Sequence, residues 1–528
     1  MGVKLEDLLK ENNGPLLEDK SKKTINMLLI AIGVTVFIII LLIIIGINSA
    51  NRAAQIERAR QLSTDIDLIS AKIKNIYSEY RIDGDISKLI GKSQEGDRVK
   101  PIVLNGEEYK YGYYYVTAAQ VKEMINTINI ENEDYVLNYS TGDAVNLKGA
   151  KWNGKVYYSV DDLRAIRDGK TPPSDYTVFI SKPEDMLQLH NYPNGYFKLS
   201  NDIDMSSFST GDGWKPVPEF SGKFDGRGYV IKNLTISRAS ERYCGLFGQV
   251  KDSSTIRNLK LENVVVSGGE YTGAIAGSCS GNVSNCRITG TVNSQSSLVG
   301  GAFGLFENGV AQNIVVNVSV SGTEKVGGFV GSVASGTIQN CSEKGNVTGI
   351  DTVGGFAGLI SPTGKAILSQ VYSDCTIVAT QNAGGFVGSI ILNSSEVNIL
   401  DSYALGQISS CSNTSGGFIG NLINNPGSKL NLSSVYTAAD TPILCETRGG
   451  FAGKIMASTS SSNIINRCFW ERDNLLDKDL NSIASNNNQA IEFEYHTPSE
   501  MRDTAVFEGW DVNVWKFVKG STPTLRWE

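Results

Sequence analysis

The sequence predicts a mainly β chain, a right-handed parallel β-helix of about 27–33 residues per coil, preceded by one transmembrane helix, a helical stalk and a small α+β domain. Three observations carry that prediction. A glycine–aromatic–glycine phrase returns eight times between Cys244 and Gly453. An almost wholly apolar run fills residues 27–47. A seam of apolar residues at heptad spacing follows that run.

Residues 1–26 are short and hydrophilic and predict a cytoplasmic tail. Met27 to Ile47 is a run of 21 residues interrupted only by Gly33, Thr35 and Gly46. As a helix it is long enough to cross a hydrocarbon core of roughly 30 Å. It exceeds a signal-peptide core, and no small-x-small cleavage site follows it. Lys20, Lys22 and Lys23 precede the run and Arg52, Arg58 and Arg60 follow it, so the flanking cations are nearly balanced. The short tail and the polar, lysine-poor repeat region favour tail inside and repeats outside.

Residues 48–82 predict the stalk. Ala59, Leu62, Ile66, Ile69, Ile73, Ile76 and Tyr80 are spaced 3, 4, 3, 4, 3, 4, a heptad seam. One reading is a membrane-proximal coiled coil through which copies self-associate. The other is a long amphipathic helix packed on its own domain, favoured because about three heptads are the lower limit for a coiled coil. Asp83-Gly84 ends the helix.

Residues 98–170 predict the small domain. Tyr109 to Val116 is a strand-like aromatic run, and Thr117 with Gln120 forms a capping box before a helix reaching about Asn129. Tyr135–Asn138 and Ala144–Lys148 flank Ser140-Thr141-Gly142-Asp143, a hairpin signal. Lys155–Tyr158 reads as a strand, Ser159 caps a short helix, and Gly169 stops it. Thr171-Pro172-Pro173-Ser174 is a linker into residues 171–528.

The repeated phrase is clearest as Gly327-Gly328-Phe329-Val330-Gly331, Gly354-Gly355-Phe356-Ala357-Gly358 and Gly384-Gly385-Phe386-Val387-Gly388. The eight copies start at Cys244, Gly273, Gly300, Gly327, Gly354, Gly384, Gly416 and Gly449, separated by 29, 27, 27, 27, 30, 32 and 33 residues. Such a period marks a solenoid whose units bury their apolar faces only by stacking. One unit reads as three short strands, Thr337–Cys341, Gly345–Gly349 and Gly354–Gly358. Coils pairing at about 4.8 Å make eight of them a rod of roughly 40 Å. Stacking then predicts an internal ladder of Phe329, Phe356, Phe386, Phe418 and Phe451, continued by Leu246 and Ile275. A second column holds Leu259, Cys286, Ile314, Cys341, Val371, Ser402, Val435 and Cys468, with cysteine acting as a small buried hydrophobe. The flanking glycines are expected at corners with φ > 0. Trp214, Trp470, Trp510, Trp515 and Trp527 lie outside the eight phrases and are expected to cap the solenoid's ends.

Composition narrows the chemistry. The chain has 528 residues and a net charge of −7, without a basic stripe, so no nucleic acid is expected as partner. No Cys-x-x-Cys pair occurs among the eight cysteines. His190 and His496 are the two histidines, 306 residues apart, which leaves little for a Ser-His-Asp site and nothing for a zinc His-Glu-x-x-His helix. Acids are sparse in the repeats. Asp202, Asp204 and Asp225 sit before them, where short acids commonly satisfy turn amides. Asn201-Asp202-Ile203-Asp204 is a weak calcium pattern. The expectation is therefore a non-enzyme with no catalytic, cofactor or metal residues and an unidentified ligand surface.

Two resemblances add to this reading. An apolar helix running into an amphipathic stalk and a small α+β head resembles type IV pilins and pseudopilins. The stretch Asp134-Tyr135-Val136-Leu137-Asn138-Tyr139-Ser140-Thr141-Gly142-Asp143, with Lys155-Val156-Tyr157-Tyr158-Ser159-Val160-Asp161-Asp162-Leu163, looks like pilin-like proteins of Clostridium-type bacteria. Prepilins place a glycine before the apolar run and a glutamate at its fifth mature residue. Here Ile25-Asn26 precede it, and no acid lies between Thr24 and Ser49, which fits a permanently anchored protein better.

Residues 176–528 resemble GLUG-repeat bacterial surface proteins. The lead-in Ile180-Ser181-Lys182-Pro183-Glu184-Asp185-Met186, then Tyr196–Asp204, Trp214-Lys215-Pro216-Val217, Phe220–Gly228 and Gly245-Leu246-Phe247-Gly248, carries the likeness. So does the closing segment Thr497–Met501, Gly509-Trp510-Asp511 and Val514-Trp515. That resemblance implies an adhesin-like protein of the bacterial cell membrane, single-pass, its large carboxy-terminal region outside. The expected partner is a host or bacterial surface glycan or protein. The alternatives are a minor pilin or pseudopilin with a β-helical adhesin head, and a polysaccharide-cleaving β-helix enzyme.

Overall fold

The chain folds as two units, residues 1–173 and 174–528, whose boundary falls between Pro173 and Ser174 inside the proline-rich linker. The computed structural model describes residues 15–83, 85–94, 99–100, 102–104, 107–109, 112–126, 132–139, 142–441, 445–473, 480–487 and 491–528.

The first unit begins with α1 (Pro15–Asp83), 69 residues of continuous helix, about 100 Å at 1.5 Å per residue. Its large apolar side chains from Ile25 to Ile47 are all exposed, and the helix is long and apolar enough to cross a membrane. The first 14 residues of the expected tail, and Gly84 of the expected helix stop, lie outside the described residues.

Beyond the apolar run the helix changes surroundings. Ala59, Leu62, Ile66, Ile69, Ile73 and Ile76 are buried against Val116, Val121, Tyr135, Leu137, Tyr139, Trp152, Leu163 and Ile166. The heptad seam is thus covered by the chain's own small domain. Arg58 pairs with Glu133, which also takes Lys148 Nζ at 3.1 Å and the Asn146 amide at 2.9 Å. Burial works to raise the Glu133 carboxyl, and the Arg58, Lys148 and Asn146 donors outweigh it, holding the group below its usual value.

The domain's antiparallel sheet runs in the order Lys92–Ser93, Tyr113–Val116, Tyr135–Asn138, Asp143–Asn146. The aromatic run is split between Glu107–Tyr109 and Tyr113–Val116. Both arms of the Thr117/Gln120 capping box form at the start of α2 (Ala118–Ile125). That helix stops earlier than its sequence predicts because Asn126 turns left-handed at φ 52°; residues 127–129 lie outside the described residues. The hairpin pairs Asn138 with Asp143, its Ser140-Thr141 again outside the described residues. Lys155–Tyr157 pairs Ala150–Trp152, and Ser159 caps α3 (Val160–Arg167).

The second unit is a parallel β-solenoid of about nine turns. A wide sheet of 16 strands runs from Val178–Ile180 to Glu494–His496. A second sheet has ten strands and a narrow third sheet has six. In the narrow sheet Gly300, Gly327, Gly354, Gly384, Gly416 and Gly449 pair in unbroken register, so the repeated phrase marks one level per coil.

In the five coils whose wide-sheet strands are Asn282–Ser294, Val310–Ser321, Gly336–Gly349, Lys365–Ala379 and Glu396–Ser410, the first two strands expected in each repeat merge. Gly336–Gly349 is one bent strand of 14 residues. Its bend is a left-handed residue recurring once per coil just before the cysteine-bearing column: Asn258, Asn285, Asn313, Asn340, Gln370, Asp401, Ser434 and Arg467, with φ from 48° to 55°. Asparagine tolerates this conformation. It also links coils here, Asn313 donating to Asn285 at 3.0 Å and Asn340 to Asn313 at 3.1 Å.

The phrase glycines do not sit at positive φ, contrary to the corner argument. They are needed for closeness. A side-chain carbon on Gly354 would run into Ala357 O, and one on Gly328 into Gly355 O and the Glu343 carboxyl. Gly355 faces Cys375 Sγ, Gly417 faces Thr437 and Gly450 faces the Trp470 ring. In the phrases starting at Gly300, Gly327, Gly354, Gly416 and Gly449 the second glycine thus leaves room for a side chain of the wide sheet.

The phenylalanine ladder forms as expected. Phe329–Phe356, Phe356–Phe386 and Phe386–Phe418 stack with ring centroids 4.7, 5.1 and 4.5 Å apart and planes within 5°. Leu246 and Ile275 are likewise fully buried. Ile491 and Phe493 close the carboxy-terminal end, Phe493 stacking on Phe451 at 3.8 Å.

The tryptophans divide. Trp214 is buried near the amino-terminal end and Trp470 inside the last coil. Trp510, Trp515 and Trp527 instead lie along the flank, over an external ladder of Tyr372, Tyr403, Tyr436 and Phe469. The end-cap expectation fails for these three because the final segment folds back. Trp527 Nε1 donates to Gln370 O at 2.9 Å, and Trp515 Nε1 to Asp401 at 3.2 Å.

Candidate binding surface

In-out alternation along the later part of the middle wide-sheet strands sorts their residues by face. In the middle coils Val318, Val320, Val347 and Ile377 point inward and are buried, while Asn317, Ser319, Asn346, Thr348, Thr376, Val378 and Gln407 are exposed. Register aligns the exposed set into columns: Asn346 beside Thr376, Thr376 beside Gln407, Ser321 beside Thr348, Thr348 beside Val378. Lys344 and Asp374 border this field as an ion pair at 3.4 Å. The result is a regular field of short hydrogen-bonding side chains, with rows about 4.8 Å apart. Such a field can donate and accept over several coils at once.

A second exposed cluster lies nearer the amino-terminal end. Tyr243 and Tyr271 stack at 4.7 Å with planes 10° apart. The Arg242 guanidinium lies 5.3 and 5.1 Å from their centroids and pairs with Glu270 at 2.9 Å. Both tyrosines are half-buried. Trp152, Trp214, Trp470, Trp510 and Trp515 are buried and Trp527 is half-buried, so no tryptophan is presented as an open stacking platform.

The acids singled out by sequence are engaged within the protein. Asp202 accepts from Val230 N at 2.9 Å and faces Lys232 at 3.6 Å. Asp204 accepts from Ser206 N, the Ser206 hydroxyl and the Asn233 amide at 3.0, 2.5 and 2.9 Å. The Ser206 hydroxyl and the Asn233 amide, with the Ser206 backbone N–H, hold its carboxyl down at about 2. These contacts occupy the Asn201–Asp204 pattern, and among the described residues no group of three or more His, Cys, Asp or Glu is placed to hold a metal. Asp225 takes Arg257 through Nε and Nη2 at 3.1 and 2.9 Å, Asn258 at 2.9 Å and Arg227 N at 2.9 Å.

Among the described residues neither histidine meets a serine hydroxyl. His190 Nε2 lies 2.9 Å from Lys215 O and its ring packs on Trp214. His496 faces Glu494 at 3.5 Å and Phe469.

All eight cysteines are buried. Cys286, Cys341 and Cys468 occupy the expected column, Cys286 beside Ile314, Cys341 beside Ile314 and Val371, Cys468 beside Val435. Burial pushes the Cys286 and Cys468 thiols up to about 12.

Glu343 was not legible as special. It follows Val316 in an inward column otherwise filled by Ile288, Ser373 and Ala404, and it is fully buried. Among the described residues neither carboxyl oxygen meets a nitrogen or oxygen partner. Burial, opposed by the Cys375 thiol and aided by Asp374, drives its carboxyl far above the usual range. Alternation along Gly336–Gly349 places it inside, and that is the signal that could have found it.

No family model matches the chain. It is 36% identical over 160 residues to halomucin of Haloquadratum walsbyi, covering 28% of this chain and 2% of that protein. It is 29% identical over 142 residues to a "Putative Gly-rich membrane protein" of Evansella cellulosilytica, covering 25% of this chain and 16% of that one. The chain thus spans less than a fifth of the length of either relative. Among solved structures it is similar to a "putative immunoglobulin A1 protease" of Bacteroides ovatus, with 21% identity, 67% of this chain and 93% of that one covered, and a TM-score of 0.37. The solenoid assignment rests on the strand register of this chain itself.

Proposed function

We propose that the chain is a membrane-anchored bacterial surface protein whose β-solenoid binds a glycan or protein on another surface. The observation that carries this reading is the exposed field of Asn346, Thr348, Thr376 and Gln407, aligned by register on a parallel sheet. Aligned hydroxyls and amides match the closely spaced hydroxyls of a polysaccharide or the backbone of an extended peptide. Contact over many coils supplies affinity from individually weak hydrogen bonds. The apolar part of α1 supports an anchored state, as does a relative whose printed name is that of a membrane protein. The lead-in and closing segments resembling GLUG-repeat surface proteins support the adhesive reading.

The test is a glycan and matrix-protein array probed with the full chain in detergent or nanodiscs. Thr376→Lys combined with Asn346→Glu should abolish capture of any ligand found and leave the far-ultraviolet spectrum and thermal midpoint unchanged. Undiminished capture by that variant sinks this surface as the site. Release of shortened glycan during the same incubation would replace binding with cleavage.

A further inference from the structure

Outside the cysteine-bearing column, two thiols of neighbouring coils meet. Cys411 and Cys445 are 34 residues apart, one coil, and their sulfurs lie 2.7 Å apart. The backbone around them is pinned in register. Glu446 N donates to Ser412 O at 3.2 Å, Thr447 N to Asn413 O at 2.7 Å, and Thr414 pairs with Thr447. Cys411 Sγ also points at Gln381 O (2.9 Å) and Thr414 O (3.2 Å). With 7% and 9% of their surface exposed, these are the two most accessible of the eight cysteines.

The column cysteines have no such option. Cys286 and Cys341 are separated by the coil carrying Ile314, hence by about 9–10 Å, beyond the Cα span of about 6.8 Å that a disulfide tolerates. Cys375 lies instead against Glu343.

We propose that Cys411 and Cys445 form a disulfide that staples two adjacent coils near the carboxy-terminal end of the solenoid. That it is closed in the cell rests on the outward orientation proposed above, because oxidising compartments lie outside the cytoplasm. The chemistry is thiol–disulfide exchange with a disulfide-bearing oxidant. The Cys445 thiolate attacks one sulfur of the oxidant and expels the first thiolate, leaving a mixed disulfide. Cys411 then loses its proton, attacks the Cys445 sulfur and expels the second thiolate. Two protein thiols and one oxidant disulfide become one protein disulfide and two small thiols. Cys445 is the more exposed of the two, so the first attack falls to it.

The test uses the purified full chain and oxidised glutathione. After incubation the protein is denatured, alkylated and peptide-mapped. The expected result is a crosslinked Cys411–Cys445 peptide and two fewer alkylated thiols out of eight. Cys411→Ser and Cys445→Ser should each abolish the crosslink. Eight alkylated thiols, or scattered pairing among the other cysteines, overturns the proposal without reference to any variant. A separate arm alkylates whole cells under acid quench. If the pair closes in vitro and is found reduced in cells, the site stands and the outward orientation falls.

Discussion

Asp225 shows how the solenoid handles charge residue by residue. Its half-turn contacts were anticipated from Asp-Gly in the sequence, but the partner across the coil was not. Burial works to raise its carboxyl; Arg257, Asn258 and Arg227 N outweigh that and hold it below the usual value. A carboxyl depressed on folding adds stability above its ordinary value of about 3.9, and that stability is lost as pH falls through the lower folded value. Arg257→Ala is therefore expected to cost about 2 kcal/mol near neutral pH, the worth of hydrogen bonds to a charged group, and less in acid, read from urea midpoints across a pH series. A cost that does not vary with pH would refute the ion pair's role. Glu343 has the opposite sign. Its carboxyl is raised, so its stability is intact below the ordinary value of about 4.3 and falls as pH rises towards the folded value. Glu343→Gln should stabilise the solenoid by about 1–3 kcal/mol near neutral pH and change little in acid; an equal effect at both ends would show that charge is not the cause.

At the scale of elements, the clearest departure from the sequence reading is the final segment. A tryptophan-rich ending was expected to plug the solenoid, and residues 491–493 do that with Ile491 and Phe493. The rest of the tail covers a flank. Tyr372, Tyr403 and Tyr436 repeat at the spacing of the coils and stack face to face, making an apolar strip that a lone sheet would leave in water. Trp510, Trp515, Val514 and Met501 bury it. Trp515→Ala removes the ring that touches Tyr403, Tyr436 and Trp510. It should cost about 3–5 kcal/mol locally and make residues 497–528 the first cleaved in limited proteolysis. An unchanged cleavage order would mean that the strap is held by something else. The glycine phrase teaches a related lesson. Its spacing was legible, but its cause was not, because closeness to Gly355 O, Glu343 or Trp470 exists only once coils are stacked.

At the scale of the molecule, a helix able to span a membrane precedes a solenoid on one chain. Orientation is tested by protease shaving of intact cells. With the solenoid outside, fragments from beyond residue 47 are expected in the supernatant while the amino-terminal segment stays with the cells. Protection of the solenoid would reverse the topology. Mass spectrometry of the mature amino terminus is expected to find no cleavage near Asn26; trimming there would favour the pilin alternative.

Periodicity was enough to read the solenoid, the phenylalanine ladder and the cysteine-bearing column, because residues repeated once per coil must superimpose when coils stack. The apolar run and capping box were equally readable, being local. The seam from Ala59 to Ile76 was readable as apolar and as packing on the chain's own small domain, but its covering residues, Val121, Leu137 and Leu163 among them, came only from the fold. The Arg257–Asp225 pair, the buried Glu343, the tail along the tyrosine strip and the meeting of Cys411 with Cys445 were decided by tertiary structure. Each joins residues whose proximity depends on coil register or chain return, and neither distance is encoded in the residues one at a time.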